Sequence, residues 1–316
     1  MTAIIIINWN GADDTLACLK SLDRSDGSFF VVVADNGSTD DSLVQIEKAV
    51  GNLSIKVHVI PLERNWGFAV GNNKAIAYAS QYAPDSYMLL NNDTEVEPDF
   101  LVRIDEYRKE HPETRILGPL VKYWYDRDRI WSCGGILTFG SRKNIYRDCK
   151  VSDINISSPL PVSFISGCAL YADASLVNDD GQLLTERFFF GEEDFEFAHR
   201  MRRAGEKMVI IPESVIYHKV SASSKNATGR FKLGRDYLYY LGRLIVVREY
   251  SSGMSFALVR LLSFHRCLKY FMRDGLDHSQ ACRVVRRLMS DARSKEGIDY
   301  DAFKSIAVDG SFFDKI

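Results

Sequence analysis

Two acidic clusters and one histidine are the parts of this chain whose side chains could do chemistry. Asn91-Asn92-Asp93-Thr94-Glu95 follows directly on the apolar run Tyr87–Leu90. A carboxylate at the end of a buried strand can ligate a hard cation together with diphosphate oxygens, as magnesium and manganese sites do. Alone the pattern is unspecific, because turns after strands favour Asn and Asp anyway. The second cluster is Glu192-Glu193-Asp194, inside FFFGEEDFEFAHRMRR at Phe188–Arg203. Acids in a first helical turn suit the macrodipole. That explains their sign but not the three phenylalanines ahead of them. Apolar surroundings raise the proton affinity of a carboxylate, which suits a general base, with Glu192, Glu193, Asp194 and Glu196 as candidates. On a helix Glu193 and Asp194 point about 100° apart, so both do not serve one atom. His218 closes the segment IPESVIYH. A lone histidine after a strand is more often structural than a ligand, and it gains weight here from an Asp93 that needs metal partners.

These groups need a scaffold, and the first half of the chain supplies a regular one. Ala3–Trp9 reads as a strand buried on both faces, Ala12–Leu22 as a helix and Phe29–Ala34 as a second buried strand. Asp35–Asp40 then forms a loop with a helix N-cap at Ser38 or Thr39. Ile55–Ile60 is a third strand, Gly67–Tyr82 a helix, Tyr87–Leu90 a fourth strand and Asp99–Lys109 a helix with Pro98 just ahead of it. This alternation predicts an α/β fold with a mostly parallel sheet. Ligands in such sheets bind beyond the carboxyl ends of the strands. Those ends carry Asn8 and Asn10, Asp35 and Asn36, Arg64 and Asn65, then Asn91, Asn92 and Asp93. Four polar ends in register point to one crevice. Residues 122–161 are aromatic and loop-rich, with Gly134-Gly135 as a turn. Val162–Ala172 is strand-like with a break at Ser166-Gly167, Glu192–Ala204 is helical, and Lys207–Ile211 and Val215–Tyr217 are two short strands.

After Lys225 long helical segments dominate. From Lys225 to Lys295 there are 15 Lys/Arg and 5 Asp/Glu, in a chain whose net charge is −2. The whole molecule is therefore no general nucleic-acid binder, but this end is strongly basic. On Met254–Arg273 a helical wheel sets Ser255, Arg266, Lys269 and Arg273 opposite Phe256, Ala257, Phe264, Leu268 and Phe271, with Arg260 out of pattern. That suggests either peripheral contact with an anionic membrane or a helical cap on the catalytic unit. Six cysteines stand at unrelated spacings. They fit free thiols in a reducing cytoplasm better than a disulfide framework. The apolar N-terminus lacks a basic n-region and reads as a strand rather than a signal peptide, and no window is long enough for a transmembrane helix.

Seven segments in order, IIIINWN, VVVADNGSTDDS, ERNWGFAVGNN, LLNNDTEVEPDF, FISGCAL, FFFGEEDFEFAHRMRRAG and VIIPESVIYH, resemble glycosyltransferase family 2, most closely its bacterial rhamnosyltransferase-like branch. The resemblance covers about residues 3 to 220. It implies a GT-A fold at 1–222, with 223–316 as a helical C-terminal region, and transfer of a sugar from a nucleotide diphosphate to a hydroxyl with inversion. By motif, Asn8 and Asp35 would contact the base, and Arg64, Asn65 and the Gly67–Asn72 turn would line the nucleotide and phosphate pocket. Asp93 takes the place of the metal-binding aspartate of the family's Asp-X-Asp motif, and His218 that of a histidine completing the coordination of Mg2+ or Mn2+. Asp194 would be the catalytic base, leaving Glu193 to hydrogen-bond backbone or acceptor. The first Asp-X-Asp position is Asn91 here, an amide that adds no charge.

The implied donor is dTDP-rhamnose or a UDP-hexose. The implied acceptor is a saccharide or lipid-linked saccharide in surface polysaccharide synthesis, such as O-antigen or capsule. Two other readings are a sugar nucleotidylyltransferase and an inactive nucleotide-sugar-binding subunit. The acidic NWNGADD after the first strand disfavours the former, since a triphosphate calls for a glycine-rich, basic loop. Retention of Asp93, Asp194 and His218 together disfavours the latter.

Overall fold

The computed structural model describes residues 1–220 and 229–314. The first half alternates as β1 (Thr2–Asn8), α1 (Ala12–Leu22), β2 (Phe29–Asp35), α2 (Ser42–Val50), β3 (Val57–Pro61), α3 (Gly67–Ala79), β4 (Ser86–Leu90), β5 (Thr94–Val96) and α4 (Phe100–Glu110). Then come β6 (Ile116–Tyr123), β7 (Ile130–Ser132), β8 (Gly135–Thr138), β9 (Ser141–Asn144), β10 (Leu160–Val162) and β11 (Ala169–Asp173). They are followed by α5 (Glu193–Arg203), β12 (Met208–His218), α6 (Gly229–Tyr250), α7 (Gly253–Arg273) and α8 (His278–Ser294). The expected junction at 222/223 lies outside the described residues. Among these residues no helix is long and apolar enough to cross a membrane, and all six cysteines are unpaired.

The main sheet runs β10-β12-β6-β11-β4-β1-β2-β3, with β5 on β12 and β7 on β6. The pairs β1–β2, β1–β4, β2–β3 and β6–β12 are parallel. β11 enters antiparallel between β4 and β6 and joins the two parallel blocks. The apolar run of β1 is buried on both faces because its side chains alternate. Ile4 and Ile6 pack with Leu19, Leu22 and Phe100. Ala3 and Ile5 pack with Ala69 and Ala75 on the other side, in one continuous core with Leu238, Leu241, Val285 and Leu288 of the C-terminal helices. The last third of the chain therefore covers a sheet face.

Four local expectations are corrected. Neither Ser38 nor Thr39 caps a helix. α2 begins at Ser42, whose N–H bonds the Asp40 carboxylate, and Ser38 turns back onto Asp35. The two short strands at 207–217 are one strand, β12, whose register against β6 shifts between Ile211 and Val215. Pro212 lies in that interval, where a residue without N–H cannot serve the ladder. Gly134 does bend the chain at φ +68, but Gly135 starts β8, and the β8–β9 hairpin turns at 139–140. On α7 the buried residues are Phe256, Val259, Cys267 and Phe271, whereas Ala257 is exposed.

α6 lies against the Lys304–Val308 turn with no room for a side chain at Gly234, where a Cβ would collide with the Ile306 carbonyl. We expect Gly234→Ala to lower unfolding free energy by about 1–3 kcal/mol, read as a shift of the urea midpoint at constant m.

Candidate active site

The strand ends are tied to one another by side chains. Asn8, fully buried at the end of β1, donates to Asp35 at 2.7 Å and to Ser38 at 3.2 Å, and accepts from Thr15 at 2.7 Å. Asp35 also accepts the Ser38 hydroxyl at 2.6 Å and the Ser38 N–H at 3.0 Å. Asn36 accepts from the Trp66 N–H and donates to Asn65, whose amide oxygen also takes the Gly67 N–H at 2.8 Å. Gly67 has φ +80, and a Cβ there would collide with the Phe189 carbonyl. The turn before α3 is thereby pressed against the Phe188–Phe190 segment. Arg64 is exposed and stacks over Trp66, 4.0 Å from its centroid. Asn72 lies apart from this rim. It is 1% exposed, and its amide donates to the Phe68 carbonyl within α3.

Beyond β4, Asn91 is half-buried and its N–H bonds the Cys168 carbonyl at 2.9 Å. Asn92 donates to Thr15 at 3.0 Å. Asp93 is buried, and its Oδ1 lies 3.0 Å from His218 Nε2. β12 and β5 bring these two together, since His218 is the residue paired with Thr94. Trp131 packs edge-on against the imidazole at 4.4 Å, and His218 Nδ1 is buried without a partner. Burial pushes the neighbouring Cys18 thiol up to about 12, and it stays neutral beside Asp93.

The third group is the start of α5. Gly191 and Glu192 both have positive φ, +76 and +70. For a glutamate that conformation costs on the order of 1 kcal/mol or more. It is held by Arg243 of α6, which forms a buried ion pair with Glu192, Nη2 at 2.8 Å, and lies over the Phe195 ring. Arg142 of β9 stands 3.8 Å from Glu192 and 3.7 Å from Asp194. Glu193 points inward. Burial, with the Asp194 charge beside it, pushes its carboxyl up to about 8, and its Oε2 has no hydrogen-bond partner. The Asp194 side chain is 15% exposed, and its Oδ2 accepts weakly from the Gly167 N–H at 3.4 Å. The Ser166–Cys168 turn thus touches both Asn91 and Asp194. Beside it a cavity of about 340 Å³ lies between the α5 N-terminus, Arg142, and Lys232, Arg235 and Tyr239 of α6. Sequence reasoning missed Arg142 and Arg243, because no local spacing marks a partner 50 residues away.

The mostly parallel sheet and the helices that cover it define an α/β fold of the GT-A type. The chain belongs to glycosyl transferase family 2, whose family model matches residues 3–172, and it is a glycosyltransferase. It is 24% identical to a dTDP-rhamnosyl transferase, RfbF of Shigella flexneri, over 230 residues, 71% of each chain. Among solved structures it is similar to the mannosyltransferase PcManGT of Pyrobaculum calidifontis in complex with GDP-Man and Mn2+, with a TM-score of 0.56, 13% identity, and coverage of 98% of this chain and 79% of that one. It is also similar to S. aureus TarS 1-349 in complex with UDP-GlcNAc, with a TM-score of 0.53, 17% identity, and coverage of 97% and 90%.

The buried Glu193 carboxyl gives a pH signature. Its proton is retained in the folded state up to about 8 but lost in the unfolded chain near the ordinary carboxyl value, 4.5. The folded state therefore holds the extra proton between these values, and stability falls as pH rises through that window, by at most about 1.4 kcal/mol per pH unit. We expect Glu193→Gln, which mimics the protonated form, to flatten this slope and to be the more stable protein at pH 8, measured by urea unfolding across pH.

Proposed function

We propose that this enzyme transfers rhamnose, or a related hexose, from a nucleotide diphosphate to an acceptor hydroxyl with inversion at the anomeric carbon. The observation that supports the reading is the buried Asp93–His218 pair beyond β4, with the Asn8–Asp35 pair at the neighbouring strand ends and Asp194 on the Gly167 turn. The rhamnosyl relative supports dTDP-rhamnose as donor, with a UDP-hexose as the alternative. In this reading Asn8 and Asp35 hold the base, and Arg64, Asn65 and Gly67 belong to the nucleotide and phosphate wall, with Asn91 and Asn92 beside the ribose; Asn72, buried within α3, only supports that wall from behind. Residues 1–222 form the catalytic unit, and 223–316 complete it from the acceptor side. The enzyme acts in the cytoplasm on a saccharide or lipid-linked saccharide during surface polysaccharide synthesis, of the O-antigen or capsule kind.

The donor atoms suit a hard divalent cation. A carboxylate oxygen and an imidazole nitrogen converge at 3.0 Å in a buried site. Among the described residues no third protein ligand joins them, so Mg2+ or Mn2+ would be held by Asp93, His218 and the donor's own diphosphate oxygens. Such a cation, when bound, neutralises the departing diphosphate.

The chain's residues do the rest. Asp194 is the partly exposed carboxylate on the Gly167 turn, and it accepts the acceptor's proton as the oxygen attacks. Arg142, near Asp194 Oδ1, keeps that carboxylate oriented. Burial holds the Glu193 carboxyl up to about 8, and in this reading it keeps its proton and donates to backbone or acceptor while Asp194 is the base.

We expect Asp194→Asn to lower kcat by about 10²–10⁴-fold with donor affinity unchanged, while Glu193→Gln keeps turnover. Single-turnover kinetics with dTDP-rhamnose and UDP-hexoses would check this, and the reverse pattern would move the base to Glu193. Chelation by EDTA should abolish nucleotide diphosphate release, as should Asp93→Ala, and His218→Ala should raise the metal concentration needed for half activity. Full turnover in excess EDTA would refute the metal assignment.

A further inference from the structure

The face of α7 and α8 turned away from the sheet is chemically unlike the rest of the surface. Met254, Leu258, Leu261 and Leu262 are 85%, 49%, 69% and 56% exposed. Their spacing puts them on one stripe of α7, so a helix already packed through Phe256, Val259, Cys267 and Phe271 carries a second apolar ridge facing solvent. Further along that stripe stand exposed Arg266, Lys269 and Arg273. Beside the ridge a groove of about 670 Å³ opens between the two helices. Leu261, Phe264 and Met289 form its apolar lining, and Arg260, Arg286 and Arg293 supply its charge.

Among the described residues no carboxylate pairs with those arginines. α7 contains no acid, and the three acids between 253 and 294 are engaged elsewhere. Asp274 pairs with Lys232 at 2.7 Å, Asp277 caps α8 at Gln280, and Asp291 is buried with Tyr237 and Arg287. Arg260 Nε is buried with no hydrogen-bond partner, and the guanidinium is held below its ordinary value by burial and by the charge of Arg293. Three guanidiniums around an apolar-lined groove, next to a protruding leucine ridge, match the two layers of a phospholipid interface, phosphate above acyl chain. A second copy of this chain fits less well, because a self-complementary contact across this face would set its arginines against their equivalents.

We propose that the α7–α8 face docks on an anionic lipid surface, with lipid phosphate in the arginine groove and the Leu258–Leu261–Leu262 ridge entering the acyl boundary. This rests on the reading of a lipid-linked acceptor only for its purpose; the contact itself is independent of sugar transfer. It also places the cavity beside Asp194 on the same helical layer that meets the lipid.

Flotation of the full chain with phosphatidylglycerol–phosphatidylcholine vesicles, and with pure phosphatidylcholine vesicles, tests it without donor or acceptor. Binding is expected to the anionic vesicles only, weakening as salt rises. Each basic residue near such a surface is worth roughly fivefold in partition. The combined Arg260→Gln, Arg286→Gln and Arg293→Gln variant should therefore bind roughly 100-fold more weakly. Leu258→Ser with Leu261→Ser, at exposed positions that leave the core intact, should lose roughly tenfold or more. Thermal stabilisation by dTDP or UDP should be the same in all variants. Equal binding to both vesicle types, or variants that bind as the parent does, would overturn the proposal. So would a dimer in sedimentation that the leucine variant dissolves while vesicle binding persists. A protein that binds vesicles but releases no nucleotide from any donor would leave the docking face standing and refute the transferase reading instead.

Discussion

The buried ion pair between Glu192 and Arg243 is the contact on which the geometry of the site depends. Two charges taken out of water repay their desolvation only when each is well met, and removing one partner of such a pair costs about 3–5 kcal/mol. Here Glu192 is 3% exposed and Arg243 6%, and Tyr239 and Ser141 add hydrogen bonds to the guanidinium. The pair holds Glu192 in a left-handed conformation immediately before α5. That conformation sets the first turn of the helix so that Glu193 faces the interior and Asp194 the Gly167 turn. Burial then raises the proton affinity of Glu193.

The pair also explains why a transferase of this kind needs its C-terminal helices. Arg243 comes from α6, and the same helix lines the cavity beside Asp194. Gly242, its neighbour, lies against the Glu192 side chain, and the carbonyl of Arg187 takes the Ile298 N–H at 2.7 Å. The helical layer is therefore bound to the reactive loop by charge, packing and backbone hydrogen bonds at once. The family model ends at residue 172, before Asp194, His218 and these helices. What it covers is β1 to β11, with the polar strand ends of β1, β2 and β4, and what it omits is α5, β12 and the helical layer.

The rim formed by the ends of β1 and β2 and the turn before α3 is organised differently, by a network of side-chain hydrogen bonds rather than by an ion pair. Asn8, Asp35 and Ser38 satisfy one another, as do Asn36, Asn65 and Gly67. A network closed on itself fixes loop positions before any ligand arrives, which lowers the ordering cost of binding.

The sequence by itself determined the sheet and the ligand rim. Short continuous apolar runs such as Ile4–Ile7, alternating with helical periods, read as strands buried on both faces, and the polar residues that follow them fall at the carboxyl ends of those strands. α1 at Ala12–Leu22 was legible to the residue, because Leu16 and Leu19 stand at helical spacing between two strand-like runs. The tertiary structure decided what depends on distant partners. It set β12 as one strand with a register shift, since pairing with β6 outlasts the interruption at Pro212. It drew Ser38 from a helix cap into the Asp35 network. It chose which apolar residues of α7 face the core, where a wheel with Phe and Leu on several sides cannot choose. And it brought Arg142 and Arg243 to Glu192, for the physical reason that an ion pair is chosen by proximity in space, and no periodicity along a chain records a neighbour 50 residues away.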